Sequence, residues 1–461
     1  MQAFEIDPQG RVKILDKKKL QEESIDHLIN QAVFGTNEQK SLAYWLIWSL
    51  GQELGIYPAS IYPLYMAIGQ GKVSRPFTVP AINLRAMTYD SARAAFKAAI
   101  QRNVGALIFE IARSEIGYTA QRPLEYFSAV MAGAIKEGFQ GPLFVQGDHF
   151  QVGLKKFKEK PDDEIKAIEQ LILEAIQAGF YNIDIDTSTL VDLSQPTVSE
   201  QQRANYEMCA RFTQFIRKNQ PRGLTISVGG EIGEVGGKNS DEKELRAYMD
   251  GMKSLLPSDM PGLSKISIQT GTSHGGVVLP DGSLAQVAID FNVLKDLSLV
   301  ARTAYSMGGT VQHGASTLPD DAFHQFVKYN AVEVHLATGF QNMIYDHPHF
   351  PSALKQKIYD YLKAKHSDEW KTGKTEDQFI YSTRKKGLGP FKKEFWGLPK
   401  ADLEMIRKAL EDKFGFLFDQ LEVGGTHKVV TDIISPMKIE KKPADFGLAQ
   451  VKEEDVSDLS D

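Results

Sequence analysis

The chain has 461 residues, 42% hydrophobic and 24% charged, with a formal net charge of −6 and one cysteine, Cys209. These are the proportions of a globular protein with a sizeable core; the negative balance excludes a general nucleic-acid binder, which needs a basic face to displace counterions. One cysteine excludes an internal disulfide, and the lack of a signal-peptide pattern or a long apolar run leads us to expect a cytoplasmic, non-membrane protein.

Residues 1–75 read as a helical N-terminal extension. Its aromatic run Ala43-Tyr44-Trp45-Leu46-Ile47-Trp48 is expected to pack on the barrel or on a sister subunit. From 76 to 345, β-rich runs at 77–82, 106–111, 143–146, 181–185, 224–228, 265–269, 310–312 and 332–336 alternate with helical candidates. The clearest helix covers 162–178, where Ile165, Ile168, Leu171, Ile172, Ala175 and Ile176 fall at helical spacing between Pro161 and Gly179. A second, over 200–218, carries Cys209, read as a half-buried structural thiol. Eight strands alternating with helices predict an α/β fold, a (β/α)8 TIM barrel. A doubly wound sheet is disfavoured because no Gly-rich dinucleotide fingerprint follows the first run. Residues 346–450 read as a helical C-terminal extension, with a helix over 401–414 that Gly415 should end. Residues 451–461, with Glu453, Glu454, Asp455, Asp458 and Asp461, read as a mobile acidic tail.

In a barrel of this kind the reactive groups gather at the C-terminal ends of the strands. Three of the ten histidines stand just past strand-like runs, in Asp148-His149, His274-Gly275 and His313-Gly314. Three imidazoles around an open coordination position suit a catalytic zinc ion. The fourth run ends Asp184-Ile185-Asp186-Thr187-Ser188; Asp184 and Asp186 share a strand face, and Asp186 is favoured because it lies nearer the end. The fifth ends in Gly229-Gly230-Glu231, the seventh continues through Ser316, and the eighth carries His335 and Thr338.

This ordered set of motifs over about 77–345 resembles the class II, zinc-dependent fructose-bisphosphate and tagatose-bisphosphate aldolases, whose strand ends carry a DH pair, an ID-S, an E-x-G-x-x-GG loop, a G-x-x-HG and an HGG-S-G. The resemblance implies that His149, His274 and His313 hold the catalytic zinc and that Asp148 is the general acid/base. It implies that Asp186 and Glu231 hold a second cation, and that Gly275, Gly314, Ser316 and Thr338 meet a substrate phosphate. His335 stands where the family usually has a phosphate-contacting asparagine, and Arg384 where it often has a phosphate-reaching arginine. The chemistry has a plain physical basis. Cleaving a carbon–carbon bond beside a carbonyl leaves an enediolate; a Lewis-acidic zinc stabilises its charge, and a nearby carboxylate moves the hydroxyl proton.

There are departures from the family pattern. Lys238-Asn239 replaces the glutamate of the fifth loop, where Asp241 or Glu242 is a candidate substitute; Val278 replaces a lysine, and Ala337 an aspartate. The resemblance therefore implies a phosphorylated ketose as substrate without naming one, in a homodimer or higher homo-oligomer. A non-catalytic supporting subunit of a tagatose-bisphosphate-type aldolase is the alternative.

Overall fold

In the computed structural model, which describes residues 2–233, 238–271, 279–280, 289–447 and 459, eight buried runs form a closed parallel barrel. Its strands are β1 (Val79–Asn83), β2 (Ile108–Ala112), β3 (Gly141–Gln151), β4 (Asn182–Asp186), β5 (Ser227–Glu231), β6 (Lys265–Ser267), β7 (Thr310–Gln312) and β8 (Glu333–Leu336). Each coincides with a predicted run or overlaps it. Closure is made by β8 against β1, with Glu333 opposite Val79, and by β3 pairing with both β2 and β4.

The intervening helices have their apolar stripes buried on the barrel. Pro161–Ala178 starts at its proline and ends where Gly179 takes a left-handed φ of 103°, as the sequence predicted. Val198–Asn219 buries Cys209 completely rather than by half; burial pushes its thiol up to about 12, so it is an inert core residue.

The N-terminal extension is not wholly helical. A hairpin pairs Phe4–Ile6 with Val12–Ile14, and Ile56–Pro58 adds a strand alongside the start of β3. Strands of three residues are too short to produce a readable alternation. The aromatic run lies on helix Asn37–Glu53 and packs on the chain itself: Trp48 meets Phe127 of helix Pro123–Glu137 at 5.2 Å between ring centroids. Trp45 Nε1 and Trp48 Nε1 donate to the carbonyls of Lys441 and Ile439, each at 2.9 Å, which ties the two extensions together.

The C-terminal helix predicted to stop at Gly415 runs on from Lys400 to Gln420. Gly415 is a packing position rather than a terminator. The Arg102 guanidinium lies 2.7 Å from where its Cβ would stand, and Arg102 Nε donates to Asp419 at 2.8 Å one turn on. The predicted acidic tail lies, apart from Leu459, outside the described residues. No helix among the described residues is long and apolar enough to cross a membrane.

The C-terminal segment meets the barrel backbone directly at Gly105, where an added Cβ would stand 2.6 Å from the Cα of His427. Gly105→Ala should therefore destabilise the protein by about 1–3 kcal/mol through overpacking. Thermal melting checks this; an unchanged midpoint would mean that the segment is not clamped there.

Candidate active site at the C-terminal rim of the barrel

In a regular strand, successive side chains point to opposite faces, so Asp148 and His149 should not both reach the barrel mouth. A bulge in β3 changes this. The β3–β4 register passes from Gly147 opposite Ile183 to Phe150 opposite Ile185, three steps against two, and His149 sits at a left-handed φ of 38°. Gly147 makes room for the bulge, because the Phe150 ring fills the place where a Cβ would stand.

Both side chains then enter one buried constellation. His149 Nδ1 lies 3.1 Å from Asp186 Oδ2 and 3.4 Å from Glu231 Oε2, and its Nε2 lies 3.8 Å from Asp148 Oδ1. The His313 ring stands edge-on to His149 at 4.2 Å between centroids, with Nδ1 4.0 Å from Glu231 Oε2. Asp186 is oriented by Ser188 Oγ at 2.7 Å and Gln151 Nε2 at 2.5 Å, both donating to it. Asp148 accepts from Asn83 Nδ2 at 2.9 Å and faces His335 Nδ1 at 3.1 Å.

The charges do not balance. Burial opposes the Asp148 charge, yet His149, His335 and His313 hold its carboxyl well below the usual carboxylate range. Burial also opposes a proton on His149, but Asp148, Glu231 and Asp186 hold that proton well above the usual imidazole range. Burial and the neighbouring Asp186 push Glu231 well up. Three carboxyl groups around His149 thus favour positive charge at this point. Ligand atoms of His149, Asp186 and Glu231 lie within 4.8 Å of one another, as do those of Asp148, His149 and His313. Imidazole and carboxylate donors in this number fit a divalent cation, and an imidazole braced by a carboxylate is the usual arrangement of a metal-ligating histidine.

A second layer lies beneath. Lys265 Nζ donates to Asp184 Oδ2 and Gln146 Oε1, each at 2.8 Å, and to Glu333 Oε1 at 2.5 Å. Glu333 also contacts His335 Nε2 at 2.6 Å and accepts from Tyr65. One ammonium cannot serve both acids equally. Burial opposes both charges, but Glu333, with Lys265 and a direct contact to His335, is held at about 2, whereas burial and the neighbouring Glu333 push Asp184 up to about 6 against the pull of Lys265 and the more distant His335. Gly229 of β5 makes the layer possible, because Lys265 Cε stands 2.9 Å from its missing Cβ position.

Of the residues singled out in the sequence, Asp148, His149, His313, Gly314, Ser316, His335 and Thr338 line one cleft at the barrel mouth, joined by Asn83, Arg85, Glu115 and Ala337. Asp186 and Glu231 adjoin it through His149. His274 and Gly275 lie outside the described residues. Arg384 is not among the residues lining the cleft: its guanidinium is held by Asp346 at 3.0 Å and by Asn342 at 2.5 Å. Asp241 is the N-cap of helix Glu242–Leu255, and Glu242 pairs with Arg246, so neither lies along the cleft. Sequence reading missed Arg85, Glu110, Glu115, Lys265 and Glu333. For Glu110, Lys265 and Glu333 the signal was present as charged residues inside apolar strand runs, whereas Arg85 and Glu115 lie just past their strands; Glu333 and His335, two apart, share a face as Asp184 and Asp186 do.

The sequence matches the family model described as fructose-bisphosphate aldolase class-II over residues 72–384. No curated protein matches it significantly. A fructuronate-tagaturonate epimerase from Cohnella laeviribosi is 13% identical, covering 84% of this chain and 86% of its own, with a TM-score of 0.55. A probable tagatose 6-phosphate kinase from Sinorhizobium meliloti 1021 is 15% identical over 78% and 99%, with a TM-score of 0.52. A fructose-bisphosphate aldolase from Campylobacter jejuni is 18% identical over 79% and 94%, with a TM-score of 0.46. At these identities the two higher-scoring structures speak to the shared barrel.

Removing the ammonium should expose the cost of the buried acids. Lys265→Met should destabilise the protein by about 3–5 kcal/mol near neutral pH, because Glu333 and Asp184 lose their counter-charge. In the parent, Glu333 stabilises the fold above its ordinary value of 4.5 and loses that contribution as pH falls toward about 2. Without Lys265 its carboxyl would take up a proton at higher pH, so the deficit should narrow on acidification. Urea unfolding across the acid range checks the sign; a deficit that widens on acidification would rule the account out.

Proposed function

Because the chain belongs to the class-II fructose-bisphosphate aldolase family, we propose that it is a metal-dependent aldehyde-lyase. It would reversibly cleave a phosphorylated ketose, of the fructose 1,6-bisphosphate kind, to dihydroxyacetone phosphate and an aldehyde. The observation that carries this reading is the placement of Asp148. Its carboxylate lies beside the His149–His313 pair at the barrel mouth and opens onto the same cleft as Ser316 and Thr338.

In this reading His149 and His313, with His274 as third ligand, would hold the catalytic zinc, and Asp186 and Glu231 would serve a second cation. A bound divalent cation supplies Lewis-acid stabilisation for the negative charge that builds on the ketose oxygens as the carbon–carbon bond breaks. Asp148 takes the proton from the C4 hydroxyl during cleavage and returns it during condensation. The imidazoles around it keep it ionised and ready as a base. Asn83 donates to its Oδ2 and so holds the carboxylate in place. Gly275, Gly314, Ser316 and Thr338 receive the phosphate through backbone N–H groups and hydroxyls. His335 braces Asp148 from the other side.

Zinc-loaded protein is expected to release dihydroxyacetone phosphate from fructose or tagatose 1,6-bisphosphate in a coupled assay. Activity should vanish on chelation and return with zinc. Undiminished cleavage by metal-free protein would remove the reading. Asp148→Asn should lower kcat by about 10²–10⁴-fold with the zinc content, measured by atomic absorption, unchanged. A variant as fast as the parent would take the proton-transfer role away from Asp148.

A further inference from the structure

A second cleft lies outside the barrel, where helix Thr88–Gln101 meets the end of helix Pro123–Glu137 and helix Lys400–Gln420 of the C-terminal extension. Its volume is about 350 Å³, within the range of small-molecule sites. Among the described residues it shares no lining residue with the cleft at the barrel mouth. Four cations line it, Arg93, Lys97, Arg407 and Lys408, against three carboxylates. The proposed lyase chemistry uses none of them.

The two arginines come from different helices and converge on one acid. Arg407 Nη1 donates to Asp90 Oδ1 at 3.0 Å, and Arg93 Nη1 stands 3.6 Å from the same oxygen. Asp90 is 6% exposed and anchors both guanidiniums from behind the cleft wall. Arg93 is held again through Nε, which donates to Glu137 Oε1 at 2.7 Å. The remaining edge of Arg407 has a poor partner: Nη2 lies 3.9 Å from Glu404 Oε1, beyond hydrogen-bond range, and Glu404 is 68% exposed. Lys97 and Lys408 stand alongside and share Glu411, at 3.0 and 3.6 Å. Solvated ion pairs of this kind contribute little, so a better-matched anion can displace them.

A closed pair joins the same two helices elsewhere. Arg102, the residue after Gln101, donates through Nε and Nη2 to the two oxygens of Asp419, at 2.8 and 3.1 Å. That carboxylate is matched by one guanidinium fork. At the cleft, two guanidiniums share a single oxygen, so each keeps N–H groups for the space that it lines.

We propose that this cleft binds a phosphate monoester, with its phosphate held between Arg93 and Arg407. Such a group carries a charge of about −1.5 to −2 and three acceptor oxygens. That suits planar donors arriving from two walls better than a carboxylate, with one charge and two oxygens. Lys97 and Lys408 add positive charge beside it. The remaining volume receives the organic part of the ligand, against Ala94 and the methylene stems of the lysines. Asp90 holds the guanidiniums in place beforehand, so little side-chain freedom is lost on binding. The bound ester bridges a barrel helix and the C-terminal extension, and so stabilises their contact.

The test is a calorimetric titration of the full chain with glycerol 3-phosphate, inorganic phosphate and glycerol, at an ionic strength fixed with sodium chloride. The parent should bind glycerol 3-phosphate more tightly than inorganic phosphate, and glycerol not at all. Arg407→Gln should weaken glycerol 3-phosphate binding about 10–100-fold, the loss expected for a charge-assisted contact. Glu404→Gln should act in the opposite direction and tighten it about 2–5-fold, because an acid competing for Nη2 is gone. A purely structural ion-pair network gives no reason for that gain. Glycerol 3-phosphate should also raise the melting midpoint of the parent more than that of Arg407→Gln, and ligand-free melts verify that both variants fold.

Binding unchanged in both folded variants would place the phosphate elsewhere, the barrel mouth included, and overturn the inference. A parent that binds neither phosphate would do the same. Equal affinity for inorganic phosphate and glycerol 3-phosphate would overturn the assignment of an ester and leave a free-phosphate site.

Discussion

Glu110, Asp148, Asp184, Asp186, Glu231 and Glu333 all converge on the buried axis of the barrel, within reach of Lys265 and the imidazoles of His149, His313 and His335. Each buried carboxylate costs several kcal/mol in lost hydration unless a counter-charge or hydrogen bonds replace the water. Lys265 offsets the lower acids, Asp184 and Glu333. Glu110, pushed well up by burial and by Asp148, relieves part of the excess by favouring its neutral form. Around His149 the excess persists, and there a cation can settle. The same electrostatic requirement that threatens the fold therefore defines the site.

Satisfying it takes unusual local structure. The β3 bulge and the left-handed His149 backbone bring two consecutive side chains to one side of the strand. The glycines of β5 and β3 make space for Lys265 and Phe150. A strained residue of this kind persists only where the surrounding packing over-determines it, and Gly147 to Gln151 are all buried.

The segments outside the barrel are joined to it by packing and by charge. Arg384 binds Asp346 and Asn342 at the far end of helix Thr338–Tyr345, whose first residue lines the cleft. Helix Lys400–Gln420 packs on helix Thr88–Gln101, with Arg407 paired to Asp90. The basic run that follows Arg384 is likewise engaged, with Lys386 against Glu369 and Lys392 against Glu125.

Much of this was legible in the chain. Alternating β-rich and amphipathic runs located all eight barrel strands, and Pro161 with Gly179 bracketed a helix, because these signals depend on neighbours a few residues away. Gly415 misled, since a glycine reads as a stop until its packing partner Arg102 is seen. The three-residue strands at Phe4–Ile6, Val12–Ile14 and Ile56–Pro58 were too short to show a period.

The sequence by itself determined the order of the elements and which strand ends carry histidine and acid, both local properties. Only the tertiary structure decided which charges meet. Lys265 and Glu333 are 68 positions apart yet separated by 2.5 Å, and Arg85 reaches Thr338 across 253 positions. The pairing of β6 and β8 on either side of β7 creates the first contact and barrel closure between β8 and β1 the second, and no spacing along the chain encodes the depth at which each side chain then lies.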